Sequence, residues 1–201
     1  MRFRIAAVLL AFAPDGAAAH GSLAGGGGFY AGLQHPFLAW EHTILLIGLG
    51  LLLGGSGRIA ARVPLWNLLA GLASGLAIGS KLGLTGTGPA VLILSLVAGG
   101  ALVLAMRVPL LLLAALALCT GIAVGLDTGV PPPPNMTAAE VYAPYLGVLV
   151  GVFLIVLNMM ALASVAKRPP YTIAVRMAGS WIIAIALMVL ALHLRKFTGA
   201  I

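Results

Sequence analysis

The stretch His35-Pro36-Phe37-Leu38-Ala39-Trp40-Glu41-His42 puts two imidazoles and a carboxylate at the mouth of a long apolar run. The whole chain holds only 4 acidic residues and 4 histidines. Ionisable groups are costly beside hydrocarbon, so those that enter an apolar segment face protein or water and mark functional sites. Imidazole nitrogen with carboxylate oxygen is a donor set for a borderline divalent ion such as nickel, zinc or copper. On one uninterrupted helix His35 and His42 would share a face, about 10 Å apart along the axis. That is too far for one ion to hold both. Either the chain bends back at His35, just before the proline, or the two histidines serve successive stations. Glu41 and His42 would point about 100° apart around the helix, so that one coordinates while the other orients it.

The elements that must position these residues follow from composition. Hydrophobic residues make up 62% of the chain and charged residues 7%, against about 25% charged in an ordinary globular domain. The chain reads as an all-α integral membrane protein. Its 201 residues allow a single helical bundle rather than several domains. Lipid cannot satisfy open backbone groups, and the alternation of a barrel is absent, so the spans are helices. Six apolar segments, at about 36–53, 65–82, 89–106, 109–126, 145–166 and 172–194, each approach the roughly 20 residues a span needs. Pro36, Pro64, Pro89, Pro109, Pro144 and Pro170 stand at their starts, where a missing N–H costs nothing. Gly71, Gly75 and Gly79 line one face of the second segment, a surface for close helix approach within the chain or between copies.

Residues 1–19 read as a cleaved secretory signal: Arg2 and Arg4, a short apolar core, then Ala17-Ala18-Ala19. Cleavage after Ala19 would make His20 the mature N-terminus, a terminal amine and imidazole able to chelate together. Residues 20–201 then form the membrane domain. Residues 21–32 read as a mobile Gly-rich lead-in with an interfacial pair, Phe29 and Tyr30. With that end outside, the inner loops hold Arg58, Arg62, Arg107, Lys167, Arg168 and Arg176, and the outer side holds Lys81, Arg195 and Lys196. This imbalance favours a bacterial inner-membrane protein with both ends extracytoplasmic.

His20, His35, Glu41, His42, Asp127, Glu140 and His193 then all fall at or near the outer end. Asp127 and His193 join His20, His35, Glu41 and His42 as candidate metal ligands. Glu140 reads as a loop charge or helix-end partner. Asp127 opens an outer loop, 127–144, in which Pro131 to Pro134 favour an extended strut. Deeper polar groups are few. Asn67 and Asn158 can glue helices or line a path. Met159 and Met160 beside Asn158 suit packing or copper(I). Cys119, the only cysteine, reads as a small buried packing residue and excludes an intrachain disulfide. The net charge of +7 is dispersed singly at segment ends, which speaks for topology and lipid contact, not nucleic acid. Neither a G-x4-G-K-[ST] loop nor a nucleophile–base set occurs, so the chain does not read as an enzyme, and any transport would draw on a gradient.

The stretch from His35 to His42 resembles the opening motif of the HupE/UreJ family, bacterial nickel permeases or accessory proteins associated with hydrogenase and urease. The lead-in His20, the His35-Pro36 pair and a carboxylate before His42 stand in the family's order. Length, signal, six segments and the re-entry at Tyr142 to Tyr145 extend the resemblance over the whole chain. Two departures accompany it. The family's Asp is Glu41 here, and its second, His-rich motif at the end of the fourth helix corresponds to residues 120–127, which hold no histidine. Asn158 also stands where members often have a histidine.

The resemblance implies a permease that captures nickel, or cobalt, zinc or copper, at His35, Glu41 and His42, with no resident cofactor. The sparse polar interior favours an alternative, a non-transporting accessory subunit or metal chaperone, with copper among its candidate metals, of a metalloenzyme system. Its partners would be the metal ion, the bilayer, and either further copies of the chain or metalloenzyme maturation proteins.

Overall fold

The computed structural model describes residues 28–57, 59–83, 87–165 and 169–197. The signal, its cleavage point and His20 lie outside these residues. Among them are seven helices and no strand: α1 (Gly28–Leu38), α2 (Trp40–Ser56), α3 (Arg62–Leu82), α4 (Gly88–Val103), α5 (Leu110–Thr128), α6 (Ala138–Val165) and α7 (Pro169–Phe197). Helices α3, α5 and α6, and Thr172–Arg195 of α7, are long and apolar enough to cross a membrane. The six unbroken segments expected from sequence are corrected at two places. α1 and α2 meet at 75°, a broken span or a re-entrant loop, so the candidate spans number four or five rather than six. α4 has 16 residues, about 24 Å of helix against a hydrocarbon core of about 30 Å.

The break has a local cause. Pro36 lies in the last turn of α1, not the first turn of a straight helix. It has no N–H for the carbonyl four residues back, and its ring crowds that carbonyl. Ala39 then leaves helical geometry at φ −79°, ψ 85°. The Thr43 hydroxyl donates to the Pro36 carbonyl at 2.6 Å, which ties the knee across the gap. Residues 28–32, expected in a mobile lead-in, instead form the start of α1. This helix lies on α6, where Gly32 meets the backbone of Pro144, Gly147 meets Phe29 to Leu33, and Gly151 meets Leu33 and Pro36.

Pro144 also lies inside a helix rather than at its start, because α6 begins at Ala138. Thr137 and Glu140 close a reciprocal cap there. The Thr137 N–H donates to Glu140 Oε2 at 2.7 Å and the Glu140 N–H donates to Thr137 Oγ1 at 3.4 Å.

Glycine sets the helix pairing. Gly71, Gly75 and Gly79 of α3 press against the backbone of α5, which answers with Gly121, Gly125 and Gly129. The face foreseen on the second segment therefore serves a seam within the chain. Gly99 of α4 and Gly179 of α7 meet in the same way, and Gly50 and Gly54 of α2 admit α6. α2 is the central helix, with Leu45, Leu46, Leu49 and Leu53 fully buried. Leu111, Leu112, Leu154, Trp66 and Trp181 face outward from the bundle, an apolar exterior suited to lipid. Cys119 is exposed on α5, not buried. Asn67 donates to the Ala114 carbonyl at 3.4 Å and joins α3 to α5. Asn158 is exposed and donates to Leu154 of its own helix at 2.7 Å, so it lines no interior path.

Candidate metal centre

The first turn of α2 presents Glu41 and His42 in succession. A carboxylate is favoured at this position by the positive end of the helix. His42 is 2% exposed. Its Nε2 lies 3.0 Å from Asp127 Oδ2. Asp127 belongs to the last turn of α5, not to the loop expected from sequence. Its other oxygen, Oδ1, accepts a hydrogen bond from Thr87 Oγ1 at 2.7 Å. Thr87 stands at the N-cap of α4 and gives its hydroxyl to Asp127 instead of to its own helix. The carboxylate is thus fixed at both oxygens by two other helices.

This arrangement decides the chemistry of the ring. A carboxylate only accepts, so Nε2 of His42 carries the proton. In the neutral imidazole the remaining nitrogen, Nδ1, is then a bare lone pair. Nδ1 is buried and has no hydrogen-bond partner. Thr120 Oγ1, two turns before Asp127 on α5, is the other buried side-chain atom without a partner among the described residues. A carboxylate behind an imidazole, with the opposite nitrogen free, is how proteins orient a metal-binding histidine and raise its basicity.

His35 reaches the same place from α1. Its Nε2 lies 3.3 Å from Thr128 Oγ1, and its ring centroid is 5.7 Å from that of His42. The chain does not bend back at His35, which lies within α1; it bends at Ala39, and this knee brings the two rings together. Glu41 points elsewhere, as its place one residue along the helix requires. Its Oε2 lies beside Gly88, and so does His193 Nε2 from α7. Among the described residues no group of three or more His, Cys, Asp or Glu side chains is placed to hold one ion. His42 approaches Asp127 and His35 approaches the His42 ring, while Glu41 and His193 each lie beside Gly88.

Thr87, Thr128 and Thr43 were not singled out from sequence. Thr87 before Gly88-Pro89 has the pattern of a helix N-cap, a signal that finds the residue but not its partner.

Apolar helices with an outward hydrophobic surface, around a small buried polar centre at one end, define a polytopic membrane protein. The chain matches the HupE / UreJ protein family over residues 7–189, nearly its full length, and belongs to that family. No curated protein and no solved structure matches it.

Proposed function

We propose that the protein is an inner-membrane permease for nickel or a related divalent transition metal. In this reading the ion is captured from the extracytoplasmic side at His42 and His35, with Asp127 orienting His42, and His20 is its first contact. The observation that carries the reading is the buried His42, whose Nε2 is engaged by Asp127 while Nδ1 has no partner. A free lone pair at such a position costs stability unless something else uses it. Donor type supports a borderline ion, since imidazole suits nickel, zinc and copper. Membership of the HupE/UreJ family, whose proteins are nickel permeases or accessory proteins, supports nickel first. An open pair leaves coordination positions for water, which suits an ion that must leave again. The ion's own charge supplies a driving force, about 4.6 kcal/mol for a divalent cation per 100 mV of membrane potential.

One observation favours a second reading. Beyond Asp127, Thr128 and His42 the buried interior is apolar, with Leu45, Leu49, Leu53, Val91 and Ala98 among its residues and Ser95 and Thr120 as the other buried polar residues among those described. A wall of this kind suits an accessory subunit that binds metal and hands it to a maturation protein.

Uptake of radiolabelled nickel by cells expressing the wild-type chain or His42→Ala, at equal membrane abundance, separates the two. Cobalt, zinc and copper serve as competitors. Uptake by the wild type that is lost in the variant supports the permease. No uptake above vector, with metal still bound by the purified protein, supports the accessory role.

A further inference from the structure

We propose that Glu41 and His193, converging beside Gly88, form a second station for a divalent transition-metal ion, adjacent to the His42–Asp127 pair. The proposal rests on the metal-handling reading above and adds a site to it. His193 Nδ1 lies 3.1 Å from the Val189 carbonyl of its own helix. A carbonyl only accepts, so Nδ1 carries the proton and Nε2 of the neutral ring presents its lone pair. That nitrogen is the atom turned toward Gly88. Glu41 Oε2 is turned to the same glycine. A Cβ at residue 88 would sit 3.1 Å from Glu41 Oε2 and 3.7 Å from His193 Nε2. Glycine therefore keeps open the space that the two donors flank.

The donor set, one imidazole nitrogen and one carboxylate, differs from the two imidazoles of the first station but suits the same class of ion, nickel, cobalt, zinc or copper rather than magnesium or calcium. With the remaining positions left to water, such a site holds an ion weakly, as a stage on a route must. The two stations share their scaffold. Glu41 and His42 are consecutive on α2 and diverge by about 100°. Thr87 of α4 fastens the first pair, and the next residue, Gly88, receives the second. The two stations thus begin from consecutive residues of α2 and consecutive residues at the start of α4.

The test uses the full chain purified in detergent, carrying His20→Ala so that the N-terminal chelate does not contribute. Cobalt(II) is titrated alone and followed by visible absorption and equilibrium dialysis. The parent should bind two ions per chain. His193→Ala and Gly88→Val should each bind one, with the affinity of the remaining ion changed by less than about threefold, and His42→Ala should also bind one. Glu41→Gln, close to isosteric, should lose the same ion as His193→Ala, which guards against a folding defect in either variant. Two ions retained by both His193→Ala and Gly88→Val would overturn the proposal. So would a parent that binds one ion, lost in His42→Ala and unaffected in His193→Ala, a result that leaves the capture site standing. A parent that binds no cobalt, nickel or zinc removes the capture site itself, and the second station with it.

Discussion

At the scale of single residues the centre turns on Asp127. It holds His42 through Oδ2 and is itself held by Thr87 through Oδ1. Asp127→Asn keeps the size of the side chain and one acceptor oxygen but removes the negative charge behind the imidazole. Loss of such an orienting partner typically weakens metal affinity by about 10–100-fold. Nickel binding to the purified variant should fall by that factor, measured by equilibrium dialysis, while its abundance in the membrane stays level with wild type. His35, Glu41 and His42 were legible in the sequence because charge inside an apolar run is rare enough to stand out. The pairing of His42 with Asp127 was not, because it depends on α2 meeting α5 across 85 residues. The division of Glu41 from His42 was legible as a direction around the helix, but its destination beside Gly88 was not.

At the scale of elements, prolines mark helix starts in some places and not in others. Pro64, Pro89 and Pro170 fall in first turns, as read from the sequence. Pro36 and Pro144 fall inside helices, because helix is added before each of them: α1 reaches back to Gly28, and the Thr137–Glu140 cap starts α6 at Ala138. Their contacts with each other's helices, Gly32 on Pro144 and Pro36 on Gly151, stabilise that extra helix, and no local pattern announces them. The other end of the bundle shows a strained closure. α4 ends with the Ala105 N–H on the Leu102 carbonyl and the Met106 N–H on the Ala101 carbonyl, a closure that puts the residue between in the left-handed region. That residue is alanine, at φ 50°. The left-handed region costs an L-residue about 1–2 kcal/mol, partly offset in glycine by the greater freedom of its unfolded chain. Ala105→Gly should therefore stabilise the protein by about 0.5–1 kcal/mol, seen as a higher thermal unfolding midpoint in detergent.

At the scale of the whole molecule the bundle has two unlike ends. His35, Glu41, His42, Asp127, Glu140 and His193 share one end, and Arg62, Arg107 and Arg176 the other, where Arg176 Nε donates to the last carbonyl of α4, Val103, at 2.9 Å. The start of α1 and the end of α7 both belong to the histidine end. This polarity was legible early, since the orientation inferred from Lys and Arg alone sorted the histidines and carboxylates without using them. In a Cys119→Ser background, Leu194→Cys and Met106→Cys place reporter thiols on residues 58% and 57% exposed at opposite ends. A membrane-impermeant maleimide added to intact cells should label the first and spare the second. The reverse pattern would put the metal centre on the cytoplasmic face and turn uptake into export.

Pro36 rests on Gly151, about halfway along the 28 residues of α6. The knee therefore seats α1 against the middle of its neighbour while the imidazole pair stays at the end of the bundle, against Asp127 and Thr128 in the last turn of α5. In the permease reading proposed above, an ion that reached the buried His42 would give up part of its hydration shell there. Magnesium sheds water reluctantly and asks for near-octahedral oxygen, so a buried imidazole would disfavour it, whereas an ion that binds nitrogen well would recover at the ring what it had lost.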